Sequence, residues 1–242
     1  MPVAIVTGAS RGFGRAVATD LATDLGTLPG TGPGTGRWSL VLSARRPGPL
    51  AEVARDLEQR GARVTAVAGD IADPDHRSAL VASAVSLGGV DLVLNNASEL
   101  GPSPLPALAD LPLGALQRLV EVNVVAPLGL VQLALPHLRR AGGTVVAVSS
   151  DAAVEAYPGW GAYGSSKAAL DHLHRVLAVE EPGLRIYQFD PGDMRTDMHQ
   201  AAFPDEDISD RPGPESVVPS LRRLLGSGSP SGRYRADQWV AA

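Results

Sequence analysis

The sequence predicts an α/β protein built on one doubly wound parallel sheet with helices on both faces. Three observations carry this expectation. Short apolar runs alternate with longer helical stretches along the 242 residues, the pattern of repeated strand–helix–strand units. The runs are apolar throughout, as strands covered on both faces are. The first run ends in a glycine-rich turn that leads straight into a helix, Thr7-Gly8-Ala9-Ser10-Arg11-Gly12-Phe13-Gly14.

Taken in order, Val3 to Val6 reads as the first strand and Phe13 to Leu25 as the first helix. Thr27 to Gly36, rich in Gly, Pro and Thr, reads as a surface loop. Leu40 to Leu42 lies in a second strand. The helix from Pro49 to Arg60 places Leu50, Val53, Ala54 and Leu57 on one face. Val64 to Val67 is a third strand. Pro74 to Leu87 is a helix, with Asp73 as its cap and proline in its first turn. Val90 to Leu94, Thr144 to Val148 and Leu184 to Phe189 are strands four to six, and a last strand is expected from Arg233 to Val240. The helix from Leu113 to Leu138 is apolar nearly all round, although packing on a sheet needs only one stripe. A second buried face follows, either in the core or at a subunit interface. Residues 199–214 carry Phe203 and four acids between prolines and read as a loop or a substrate lid. With no internal repeat or boundary, residues 1–242 form a single domain in this reading.

Composition narrows the function. A net charge of -5 lacks the basic surface of a nucleic-acid binder, and the absence of cysteine excludes disulfides, thiolate catalysis and Cys-ligated metals. His172 and His174 point different ways on a helix, and His76, His137 and His199 read as surface residues, so no metal is expected. The N-terminus runs directly into a strand and no apolar run reaches spanning length. A cytoplasmic protein without a membrane partner is therefore expected.

The glycines of the first turn let backbone N–H groups approach a pyrophosphate, and the helix N-terminus behind them adds positive partial charge. The G-x-x-x-G-x-G spacing is neither G-x-G-x-x-G nor a phosphate-binding loop ending in Gly-Lys-Ser/Thr. After strand two the chain reads Ser43-Ala44-Arg45-Arg46, with no acid to bind a ribose 2′-hydroxyl. Arg45, Arg46 and Arg11 instead offer guanidinium groups to a 2′-phosphate, which favours NADP(H); at least one of them reads as a solvated surface residue. Asp70, followed by Ile71, and Asn95-Asn96-Ala97 lie at carboxyl ends of strands, where ligands bind in such sheets; Asp70 could accept from an adenine amino group. Each could also be a loop cap.

Tyr163 and Lys167 share a helix face at i, i+4. An ammonium beside the phenol and a positive nicotinamide favour phenolate, which would lower the tyrosine pKa and fit it for proton transfer to or from a carbonyl oxygen. Ser150 closes strand five, where its hydroxyl could hold that oxygen. Asn123, a poor helix former among valines, is either a buried structural amide or a relay element.

With these residues in place the chain resembles the short-chain dehydrogenase/reductase family over almost its full length. The likeness rests on Thr7-GASRGFG, Asp70, Asn95-NA, Asn123, Ser150, Tyr163-xxx-Lys167 and Pro191-Gly192 with Thr196, in order and at matching spacing. It implies a Rossmann-type sheet of about seven strands, a homodimer or homotetramer, and a set of roles. Tyr163 is the general acid/base; Lys167 binds the nicotinamide ribose; Ser150 orients the carbonyl; Asn123 holds a relay water. Pro191, Gly192, Met194 and Thr196 lie by the carboxamide side of the cofactor. Further motifs, including Leu40-VLSAR, Val176-LA-x-EEP and Thr196-DM-x-Gln, are similar to the sepiapterin-reducing branch of the family. Ser98 departs from it, standing where glycine is common. That branch implies a vicinal dicarbonyl or hydroxyketone side chain on a pterin ring. Trp160 and Tyr157 would wall the ring, Leu100, Met194, Met198 and Phe203 would line the pocket, and Asp237 would anchor the ring, although its register is displaced by about one residue. The alternatives are a reductase or dehydrogenase for another small ketone, alcohol or acyl substrate, and a non-enzymatic NADP(H)-sensing regulator, a role that tends to go with loss of Tyr163 or Lys167.

Overall fold

The computed structural model describes residues 1–23 and 37–239. The expected loop Thr27–Gly36, the end of the first helix at Leu25 and Val240 lie outside the described residues. Seven strands form one sheet in the order β3-β2-β1-β4-β5-β6-β7, every pair parallel. They are β1 Val3–Thr7, β2 Ser39–Ala44, β3 Arg63–Ala68, β4 Leu92–Asn95, β5 Thr144–Val148, β6 Arg185–Asp190 and β7 Gly232–Arg235. The order reverses between β1 and β4, and the crevice at that switch point opens at the carboxyl ends of the strands.

The helices are α1 Gly12–Thr23, α2 Pro47–Gln59, α3 Pro74–Leu87, α4 Leu113–Val120, α5 Ala126–Ala141, α6 Gly161–Glu180, α7 Asp197–Ala202 and α8 Val218–Ser227. Alternation along β1 shows why two helical layers form. Ala4 and Val6 join a core with α1, α2 and α8, whereas Val3 and Ile5 join one with α3, α5 and Leu177 of α6. At the start of α3, Asp73 accepts from Asp75 N at 2.9 Å with Pro74 beside it, as expected.

Three elements differ from the sequence reading. The long apolar helix is α4 and α5 joined by one wide π turn, Glu121–Val125, with Asn123 at its centre. This rod, Leu113–Ala141, is long and apolar enough to cross a membrane, contrary to the expectation that no segment is. About half of its most apolar window is buried in the protein, which is the setting of a core helix. Val120, Val125 and Leu133 remain exposed on it. The last strand is shorter than expected, because Ala236–Trp239 curls into a 3-10 turn. Residues 199–214 are not a bare loop, since α7 occupies their start.

Candidate active site

The crevice is a cleft of about 520 Å³, in the range of small-molecule sites. Its floor at one end is the glycine turn. Gly8 has a φ of +67°, a conformation that favours glycine. Thr7 and Asn96 rivet this turn to β4. Asn96 Nδ2 donates to Thr7 O at 2.8 Å and Gly8 O at 3.3 Å, and Thr7 Oγ1 accepts from the Asn96 and Ala97 amides, each at 3.0 Å. Gly8, Ser10, Arg11, Gly12 and Phe13 line the cleft, whose first helical turn presents the N–H groups left unpaired at any helix start. Gly14 does not face the cleft; it packs under the turn, against Gly8 O. A backbone cradle of this kind fits a dinucleotide pyrophosphate.

Around the cradle, Arg45, Arg46, Asp70, Ile71, Asn96, Ala97, Pro191, Gly192, Met194 and Thr196 all line the cleft. Asn95 does not: its amide is buried and donates to Pro127 O at 3.5 Å, so it closes the floor instead. Two of the three arginines are already paired, Arg11 with Asp197 and Arg45 with Glu99 at 2.6 Å. Arg46, exposed at the start of α2, has no ion pair among the described residues. Asp70 accepts from Ala72 N at 3.0 Å and from Arg118 at 2.7 Å. Burial would raise its pKa, but those two partners prevail and hold it below the ordinary carboxylate value. Arg118 also grips Glu99 at 3.0 Å, a bridge from α4 that sequence spacing does not reveal. His76, read as a surface residue, is instead buried, with Nε2 2.8 Å from Ser43 Oγ and its ring against Gly69.

The other end of the cleft holds Ser150, Tyr163 and Lys167 together. Ser150 caps the turn after β5; its Oγ donates to Asp151 Oδ1 at 3.0 Å and accepts from Ala152 N at 3.2 Å. Tyr163 and Lys167 open α6 on one face, and Lys167 Nζ lies 5.5 Å from the tyrosine ring centre. Nζ donates to Val148 O at 2.8 Å. Burial pulls the Lys167 pKa down to about 8, with Asp171 opposing. Burial also raises the Tyr163 phenol above its ordinary value. The Ser98 and Ser150 hydroxyls beside it pull the other way, and the Asp190 and Asp151 charges add to the rise. The expected lowering drew on the Lys167 ammonium together with a positive nicotinamide; in the protein alone, desolvation is the largest influence and the phenol is raised.

Asn123 is buried, and its side chain is a tie. Oδ1 accepts from Glu99 N, and Nδ2 donates to Glu99 O, each at 2.9 Å, and to Ser166 Oγ at 3.0 Å. The π turn thereby links the loop after β4 to the start of α6, and the amide itself lies outside the cleft lining. The apolar wall is Leu100, Trp160, Met194, Met198 and Ala202, with Trp160 edge-on to Tyr163 at 5.7 Å and near Phe203 at 5.9 Å. His199, expected at the surface, also lines the cleft, with only 10% of its side chain exposed. Two expected substrate residues are elsewhere. Tyr157 is exposed, points its hydroxyl at Asp151 at 3.1 Å and does not line the cleft. Asp237 lies in the turn after β7, 61% exposed and 3.0 Å from Arg235, and does not reach the cleft. The early end of β7 carries it outward.

A parallel sheet reversed at β1/β4, a glycine cradle, and Ser150 beside a buried Tyr163-Lys167 pair define a dinucleotide-dependent oxidoreductase architecture. The chain belongs to the short chain dehydrogenase family, whose model matches residues 2–207. It is 35% identical over 210 residues to the sepiapterin reductase of Rattus norvegicus, covering 83% of this chain and 77% of that one. It is 34% identical over 216 residues to an uncharacterized oxidoreductase of Saccharomyces cerevisiae, covering 89% and 77%. Among solved structures, an alcohol dehydrogenase of Thermococcus sibiricus complexed with 5-hydroxy-NADP superposes with a TM-score of 0.83 at 27% identity, covering 97% of this chain and 95% of that one.

Proposed function

We propose that this protein is an NADP(H)-dependent carbonyl reductase for a small ketone or dicarbonyl, with the side chain of a pterin such as sepiapterin as its leading candidate substrate. The observation that carries this reading is the meeting of Ser150, Tyr163 and Lys167 at the apolar end of a cleft whose other end is the glycine cradle. When bound, the reduced nicotinamide supplies a hydride. The chain supplies the rest. Ser150 and Tyr163 hold the carbonyl oxygen, and Tyr163, kept protonated by burial, gives it a proton. Lys167, anchored on Val148 O, places a positive charge beside that tyrosine and would hold the nicotinamide ribose when the cofactor is bound. Trp160, Leu100 and Met198 exclude water and present a flat apolar wall to a ring.

The preference for NADP(H) rests on Arg46, with Arg11 and Arg45 able to exchange exposed ion pairs, weak ones at the surface, for a phosphate. The likeness to sepiapterin reductase supports the substrate. Following NADPH absorbance with sepiapterin, vicinal diketones and simple ketones tests both. Turnover with a dicarbonyl is expected, with NADPH bound more tightly than NADH. Arg46→Ala should weaken NADPH alone by about ten- to a hundredfold, the worth of one charge-assisted contact. Equal dissociation constants for the two cofactors would reject the NADP(H) assignment, and sepiapterin no better than a diketone would reject the pterin.

The cytoplasmic, homo-oligomeric form belongs to the same reading. Val120, Val125 and Leu133 on the α4–α5 rod and Val176 and Val179 on α6 stay exposed, apolar area that a second copy would cover. Sedimentation at micromolar concentration is expected to show a dimer or tetramer; a monomer would refute it.

A further inference from the structure

Behind the catalytic group lies a buried ionic cluster that the reaction described above does not use. Arg233, on edge strand β7, reaches three separate segments. Its Nε donates to Asp171 Oδ2 at 3.1 Å, and its Nη2 donates to Asp190 Oδ2 and to Ser150 O, each at 2.9 Å. Asp171 and Asp190 side chains are each 4% exposed. Ser149 Oγ donates to the same Asp171 oxygen at 2.8 Å, and Asp190 Oδ1 accepts from Gly192 N at 3.0 Å. One guanidinium therefore grips the backbone of the catalytic serine, the turn carrying Pro191-Gly192, and the helix one turn beyond Lys167.

We propose that Asp171 and Arg233 are positioning residues of the active site: Arg233 fixes the Ser150 carbonyl and seats Asp171 as the counter-charge of the buried Lys167 ammonium. The inference rests on the reductase reading for its catalytic meaning, and on geometry for its existence. The charges balance, two cations, Lys167 and Arg233, against two carboxylates, Asp171 and Asp190, which is the condition for burying so many. Asp171 and His174 follow Lys167 on α6 by one and two turns, on its side of the helix, and Tyr163 and the Val148 carbonyl lie against it; facing Asp171 are Ser149 from β5 and Arg233 from β7. Burial holds His174 near 4, so it is neutral at working pH and cannot replace Asp171. Burial raises Asp171, and Ser149, Arg233 and Lys167 work against that rise.

Removing a negative charge beside Lys167 disfavours its ammonium, so Lys167 should lose its proton at a lower pH. The full chain is titrated with NADPH by fluorescence from pH 6 to 10, following the pH at which affinity falls as Lys167 discharges. Asp171→Asn, which keeps the shape and a hydrogen-bond acceptor, should lower that midpoint by about one unit. Arg233→Met should lower kcat for a dicarbonyl by about 10- to 100-fold through misplacement of Ser150, with KM nearly unchanged, and Arg233→Lys should recover part of the loss. An unchanged midpoint in Asp171→Asn overturns the proposal, as does wild-type kcat in Arg233→Met. If Arg233→Met does not fold, Arg233→Lys and Asp171→Asn decide. A wild-type protein that binds NADPH but reduces no carbonyl would reject the reductase reading, and the binding midpoint of Asp171→Asn would still judge the positioning role.

Discussion

Tyr163→Phe is expected to lower turnover by about 10²–10⁴-fold, the usual worth of a general acid, while NADPH binding stays close to that of the unmodified protein. The phenol is the one group of the cluster suited to give a proton to a carbonyl oxygen. Lys167 is committed to Val148 O, and the Ser150 hydroxyl, which donates to Asp151 here, would turn to hold the oxygen by a hydrogen bond rather than protonate it. The ring itself packs against Trp160 and is almost wholly buried, so phenylalanine keeps the shape and the packing. The direction of the pKa shift adds a pH signature. Burial raises the phenol, so it stays protonated through neutral pH and carbonyl reduction should hold its rate there. Alcohol oxidation needs the phenolate and should accelerate as pH rises. Stopped-flow reduction and oxidation across pH, with fluorescence titration of NADPH, measures all of this. A phenylalanine variant with near-normal kcat would remove Tyr163 from the mechanism.

What could be read from the sequence was local. The glycine turn, Ser150 and the Tyr163/Lys167 pair each lie within one strand–turn–helix unit, and their spacing determines which face they share. Strands β1, β2, β4, β5 and β6 were legible because each is a short, largely apolar run buried along nearly its whole length, whereas the edge strands β3 and β7 are partly exposed and β7 carries two arginines. What escaped depends on contacts far apart in the chain. Arg118 meets Asp70 across 48 residues, and Arg233 meets Asp190 across 43. No periodicity encodes such pairs. Asp237 looked close to a pterin-anchoring position, but strand β7 ends early and its carboxylate turns to Arg235. Tyr157 lies six residues before Tyr163, yet the turn between them sends its ring to solvent. Asn95 and Asn96 are neighbours, but adjacent residues at a strand end point to opposite sides, so one closes the floor and the other rivets the turn. The π turn at Asn123 could not be seen in a run of valines that suits a continuous helix, although an amide among them was the signal that something there is polar and buried.

Gly14→Ala is expected to abolish useful NADP(H) binding although the substitution adds one methyl group. Gly14 lies in the first turn of α1, where alanine would ordinarily be the better helix former. A Cβ there would sit 2.5 Å from Gly8 O and 3.0 Å from Gly8 C, backbone atoms of the cradle itself, and would also strike the Asn96 amide. A flexible side chain could move aside; this backbone cannot, because Asn96 Nδ2 pins Thr7 O and Gly8 O. The clash must therefore push α1 away from β1 or distort the turn, and either displaces the N–H groups that would hold a pyrophosphate. Overpacking of this kind costs about 1–3 kcal/mol, and each lost charge-assisted hydrogen bond about 1.5–3 kcal/mol, so affinity should fall by well over tenfold. Gly48 supplies the control. It lies in the first turn of α2, and a Cβ added there would have no neighbour within 4 Å. Gly48→Ala should leave binding unchanged and stabilise the fold by about 0.4–1 kcal/mol. Calorimetric titration of NADPH and thermal melts on both variants separate the cases. Wild-type affinity in Gly14→Ala would mean that the cradle does not hold the cofactor in the way its geometry requires.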